Sequence, residues 1–97
     1  MNLDQILEFA LNKGASDLHL RVGASPMLRI HGELYPVQKI PSLKPEQLNI
    51  LLEQILTAEQ QKQLEARHEL DLAYSIAGRS RFRVNIFYQR GTLAAAF

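Results

Sequence analysis

Two runs of strict alternation, "ELDLAYSI" at 69–76 and "RFRVNIFYQ" at 81–89, lie four residues apart across "AGRS". This feature constrains the fold most, because apolar side chains at every second position need a half-buried sheet, and so short a link joins strands only as a tight antiparallel hairpin. The same period recurs earlier. "DLHLRVG" sets Leu18, Leu20 and Val22 against His19 and Arg21, and "MLRIHG" sets Leu28 and Ile30 against Arg29 and His31. "GASP" supplies turn residues between these two runs. Gly32 followed by "ELYPV" implies a third short strand, which Pro36 makes irregular or assigns to an edge. A final strand begins at "TLAAAF".

Helical periodicity fills the remainder. Leu3, Ile6, Leu7, Ala10 and Leu11 make one stripe over residues 3–13, with Asn2 as N-cap and Gly14 as the left-handed terminator. After the connector "KIPSLKPEQ", Pro45 stands in the first turn of a helix whose Leu48, Leu51, Leu52, Ile55 and Leu56 form an apolar stripe. Thr57 with Gln60 has the form of a capping box and begins a polar surface helix reaching about Arg67. Helix, strands, helices, strands, with short links inside each strand group, predict an α+β fold in which helices pack on a mostly antiparallel sheet.

Ninety-seven residues suffice for one small domain, and a formal charge of +1 gives no bulk attraction to a polyanion. Without cysteine there is no disulfide framework. The acidic opening "MNLDQILEF" is not a targeting peptide, and no apolar run approaches the ~18 residues that span a bilayer. The reading is a cytoplasmic chain with no direct membrane insertion. The strand pattern that stops at Phe97 reads as one piece of a longer protein.

Charge is spread unevenly. Residues 43–71 carry six acids against three cations, whereas 79–97 hold Arg79, Arg81, Arg83 and Arg90 and no acid. Alternation turns Phe82, Val84, Ile86 and Tyr88 inward and Arg81, Arg83, Asn85 and Gln89 outward. With Arg21 and Arg29 the sheet could present a cationic face suited to phosphate. The same arginines could instead pair with Asp71 and the helical glutamates as a solvated surface. A nucleic-acid reader would need exposed stacking aromatics and more positive charge, and only Phe87 points outward, so no nucleic-acid partner is expected. His19 and His31 would need a carboxylate or cysteine at ligand spacing to hold a metal, and none is there, so no metal is assigned. His68 reads as local pairing with Glu65, Glu69 and Asp71 at a helix end. Ser16, Asp17 and His19 form no triad, since neighbours on a strand face opposite ways. None of the five glycines builds a nucleotide-phosphate loop, so the chain alone should not hydrolyse a nucleotide.

Two stretches carry a family resemblance: "GASDLHLRVGASPMLRIHGEL" at 14–34 and "RSRFRVNIFYQRGTLAAAF" at 79–97, supported by the opening "LDQILEFALNKGASDLHL". The chain resembles the N-terminal domain of PilT-type retraction ATPases of type IV pili, within the type II/IV secretion ATPases. The resemblance implies a PAS-like domain over residues 1–97, followed in the whole protein by a RecA-like core with Walker motifs, which this chain lacks. It further implies hexameric rings serving twitching motility, with neighbouring subunits and the pilus inner-membrane machinery as partners, peripheral to the inner membrane. ATP and Mg would bind the full-length protein, and none is expected on this chain alone. In this family arginines of the N-terminal domain reach ATP held by the RecA-like core. Arg83, in "FRVN", matches the first of these and is the residue to which catalytic and nucleotide-binding roles carry over. Arg81 and Arg90 are further candidates, for shaping the same face or a subunit interface. Asp17 and His19 of "ASDLHL" are taken as structural. The alternative is a stand-alone PAS-like module that binds a protein or an anionic ligand.

Overall fold

The computed structural model of the chain describes residues 2–76 and 78–97. Helix α1 runs Leu3–Asn12 and buries Leu3, Ile6, Leu7 and Ala10. Asn2 caps it by accepting the Gln5 amide at 3.1 Å. Gly14, at φ +71°, closes its far end: the Gly14 amide donates to the Leu11 carbonyl and the Ala15 amide to the Ala10 carbonyl, both at 3.0 Å. That pair of bonds satisfies carbonyls the helix would otherwise leave open.

Strands β1 (Asp17–Arg21), β2 (Met27–Ile30) and β3 (Glu33–Pro36) follow. His31 and Gly32 form the two-residue turn between β2 and β3, at φ +50° and +82°, so His31 is a turn residue and not the outward strand residue that alternation implied. A turn with two positive φ angles matches the twist of the strands it joins. Pro36 does lie on an edge strand, opposite Met27.

The connector returns through Leu43, which is buried and exchanges backbone bonds with Gly23 at 2.8 Å and Ala24 at 3.0 Å. Helix α2 (Pro45–Glu53) buries Leu48, Leu51 and Leu52, and α3 (Ala58–Arg67) buries only Leu64. Ile55 and Leu56 belong to the link and not to α2, although they still pack on the core. The capping box explains this. Thr57 and Gln60 exchange bonds of 3.0 and 3.1 Å to start α3, so the chain must turn within residues 54–56.

Strands β4 (Glu69–Ile76), β5 (Ser80–Gln89) and β6 (Thr92–Ala96) complete the molecule. Gly78 and Arg79 lie in the β4–β5 turn, and Ala77 of the predicted "AGRS" turn lies outside the described residues. The six strands form one antiparallel sheet in the order β3-β2-β1-β6-β5-β4, which is the α+β architecture expected. One face of the sheet carries Leu18, Leu20, Leu28, Leu70, Val84, Ile86 and Ala95, and the helices seal it into a single apolar cluster. Among the described residues the helices pack their apolar sides on this face, which leaves the opposite face open.

Candidate functional site: an open arginine-bearing sheet face

Strand β5 is anchored from below by Val84 and Ile86, both fully buried. Alternation then turns Arg81 and Arg83 onto the open face, and both are exposed. Their Cα partners on β4 are Ser75 and Ala73, which offer no charge. The carboxylates further along β4 are engaged by another group: Asn85 donates to Asp71 at 2.9 Å and to Glu69 at 3.4 Å. Among the described residues neither Arg81 nor Arg83 has a hydrogen bond or an ion pair, so the solvated-pair reading of these two finds no partner.

Arg81 and Arg83 line a cleft of about 390 Å³ shared with Leu11 of α1, Asp17 of β1, Asn85 and Phe97. The cleft lies beside Ala96 and Phe97. Ala96 pairs with both His19 and Asn85, and Phe97 exchanges backbone bonds with Leu18 at 2.8 and 3.1 Å. Asp17, the one acid in the lining among the described residues, accepts from the Ser16 hydroxyl at 3.0 Å and pairs with the Arg29 guanidinium at 3.4 Å. Sequence reasoning missed Asp17 as a wall of this cleft, because it comes near β5 only through the β1–β6–β5 pairing, which alternation does not encode.

The other candidates separate. Arg29 is committed to Asp17 and to the Gly32 carbonyl at 2.8 Å, and Arg79 to Asn12 of α1 at 2.9 Å, so both serve the fold. Arg90 stands in the β5–β6 turn, seven residues from Arg83 and roughly 23 Å away at the usual strand rise. His19 stays on the open face of β1, while His31 is in its turn, so they do not meet. Among the described residues no three His, Asp or Glu side chains gather so as to hold a metal. His68 ends α3 in the left-handed region, at φ +59°, and lays its ring 5.2 Å from that of Tyr88. It has no carboxylate partner among the described residues; Tyr88 keeps to the helix-covered face, where it shares a cleft with Leu52, Leu56 and Leu64, but at 36% exposure it is not a buried core residue. Ser16 does touch Asp17, since it precedes β1 and escapes the alternation, but no histidine completes a relay.

No family model matches the chain. It is 36% identical over its full length to the type IV pilus retraction ATPase PilT of Pseudomonas aeruginosa, covering 28% of that protein. It is also 36% identical over 93% of its length to the type IV pilus ATPase PilU of the same organism, covering 23% of it. The chain thus spans about a quarter of these relatives. Its fold superposes with TM-score 0.90 on a crystal structure of the pilus retraction motor PilT with bound ADP, at 36% identity over 99% of this chain and 28% of that one. The ATPase DotB of Legionella pneumophila shares the fold, at TM-score 0.80 and 24% identity over 97% of this chain and 27% of that one. A match that runs the whole length of the chain in sequence and in structure identifies it as a homologue of the N-terminal part of the PilT/PilU type IV pilus ATPases.

Proposed function

We propose that this chain is the N-terminal domain of a type IV pilus retraction ATPase, and that Arg83, with Arg81 beside it, faces the phosphates of ATP bound by a RecA-like domain. The observation that carries the reading is the pair of exposed guanidinium groups on an interior strand, lining one cleft, with no acid bound to them among the described residues. A guanidinium so held can neutralise charge that builds on a transferring phosphoryl group, an effect worth about 10³ to 10⁵ in rate in other NTPases. The buried Val84 and Ile86 fix the strand, so little ordering cost falls on the moment of reaction.

ATP and magnesium belong to the RecA-like domain in this reading. The described residues offer magnesium no cluster of ligands, and the glycines sit in turns with open space around them instead of cradling an anion. This chain supplies cations and a rigid body. In a homohexamer, closure of the arginine face on a neighbouring nucleotide couples hydrolysis to domain motion for twitching motility, in the cytoplasm at the pilus base. No helix among the described residues is long and apolar enough to cross a membrane.

The test is Arg83→Ala in the full-length protein that carries this chain. Steady-state ATP hydrolysis should fall at least about a hundredfold, while the melting temperature of the 97-residue chain stays that of wild type. Wild-type turnover in the variant would remove Arg83 from the mechanism.

A further inference from the structure

Arg90 takes the first position of the two-residue β5–β6 turn at φ +54°, and Gly91 takes the second at +80°. A left-handed conformation costs an ordinary residue about 1–2 kcal/mol, and such turns favour Asn or Gly there. Strain held at a charged residue directs attention to what its side chain does. The turn brings Arg90 to the rim of a cleft that Arg21 also lines, Arg21 being the last residue of β1 with Ala94 as its Cα partner on β6.

The two arginines share a cleft of about 280 Å³ with Gly23, Gln89, Thr92 and Leu93. No acid lines it. Among the described residues neither guanidinium has a hydrogen bond or an ion pair, and both are exposed. The Thr92 hydroxyl is spent locally, donating to the Gln89 carbonyl at 2.9 Å. The open polar groups are therefore mostly donors, and two like charges face one space.

We infer that the Arg21–Arg90 cleft binds a phosphate group. Two guanidinium charges match the charge of about −1.5 to −2 on a phosphate monoester at neutral pH, whereas one carboxylate would neutralise half of them. Guanidinium forks suit the bidentate geometry of phosphate oxygens. The cleft lies at the opposite end of β5 from Arg83, so it is separate from the nucleotide-facing site proposed above and does not depend on it.

The experiment is an NMR titration of the isotope-labelled chain with inorganic phosphate, following the guanidinium signals of every arginine and the Gly91 amide. The Arg21, Arg90 and Gly91 signals should move saturably, in wild type and in Arg83→Gln alike. Arg90→Gly, which suits the turn and so keeps the fold, should weaken binding about tenfold, and Arg21→Gln should do the same. Vesicles of phosphatidylcholine with and without phosphatidic acid, whose headgroup is a phosphate monoester, separate the sources. A response to the anionic vesicles assigns the site to lipid headgroups, and a response to soluble phosphate alone assigns it to a soluble phosphate compound. Silence of Arg21 and Arg90 under excess phosphate overturns the inference. So does movement confined to Arg81 and Arg83, or a stronger response to poly-glutamate than to phosphate.

Discussion

Tyr74 shows how one side chain can tie distant parts of this chain together. On β4, its hydroxyl donates to Asp4 of α1 at 2.5 Å, across 70 positions of sequence. The bond pushes the phenol from its ordinary pKa of 10.0 up to about 12, mainly because the Asp4 carboxylate needs the proton, with desolvation and the nearby negative charge adding to it. Folding thus favours the protonated phenol. Its contribution is full below pH 10 and is lost as the pH rises towards 12. Tyr74→Phe should cost about 1 kcal/mol near neutrality, the value of a partly exposed hydrogen bond, and should flatten the loss of stability in that alkaline window. Chemical denaturation at a series of pH values reads both effects. Tyr35 is raised in the same direction by Glu33, but on the open surface, so Tyr74→Phe alone should remove most of the alkaline slope. An unchanged slope in the variant would assign the effect elsewhere.

At the scale of elements, ends are governed by single residues. Gly14 tests this cleanly, because a Cβ there would meet nothing within 4 Å. Gly14→Ala should therefore destabilise through the backbone alone, by about 1 kcal/mol, seen as a lower denaturation midpoint with an unchanged slope. Every strand and helix that periodicity implied is present, since the period is a property of each segment by itself, as in β5, where Val84 and Ile86 go in and Arg81 and Arg83 come out. The errors fall where one segment meets another. His31 looked like a strand residue until Gly32 made it half of a turn, and the Ile55–Leu56 pair continued a helical stripe that Thr57 had already ended. Tyr88 alternates onto the core face as expected, yet near the strand end it stays partly exposed, between the leucines of α2 and α3 and the ring of His68. Of the candidate site, the arginine face was legible from alternation. That Arg81 and Arg83 share a cleft with Asp17 while Arg90 departs to join Arg21 was not, because strand order comes from packing between distant segments.

The sheet as a whole is joined by one seam. Strands β1–β3 and β4–β6 are each joined by local turns, and the two halves become one sheet only where β1 pairs with β6. Ala95 lies at the centre of this seam, 2% exposed, between Leu20 on β1 and Ile86 on β5, on the face that the helices cover. Small residues let the strands and the helices above them approach closely, and they also leave no slack. Ala95→Leu would push methyl groups into occupied space, at a cost of about 1–3 kcal/mol. Because Leu20, Ile86 and the buried faces of α1 and α2 belong to the same apolar cluster, the loss should spread to both halves. Amide exchange in β2 and in β5 should then accelerate by a similar factor, in a single cooperative transition. Faster exchange confined to β1–β3, with β5 still protected, would mean that the arginine-bearing hairpin is a separate folding unit, and the rigidity on which the role of Arg83 depends would have to come from the β4–β5 pairing alone.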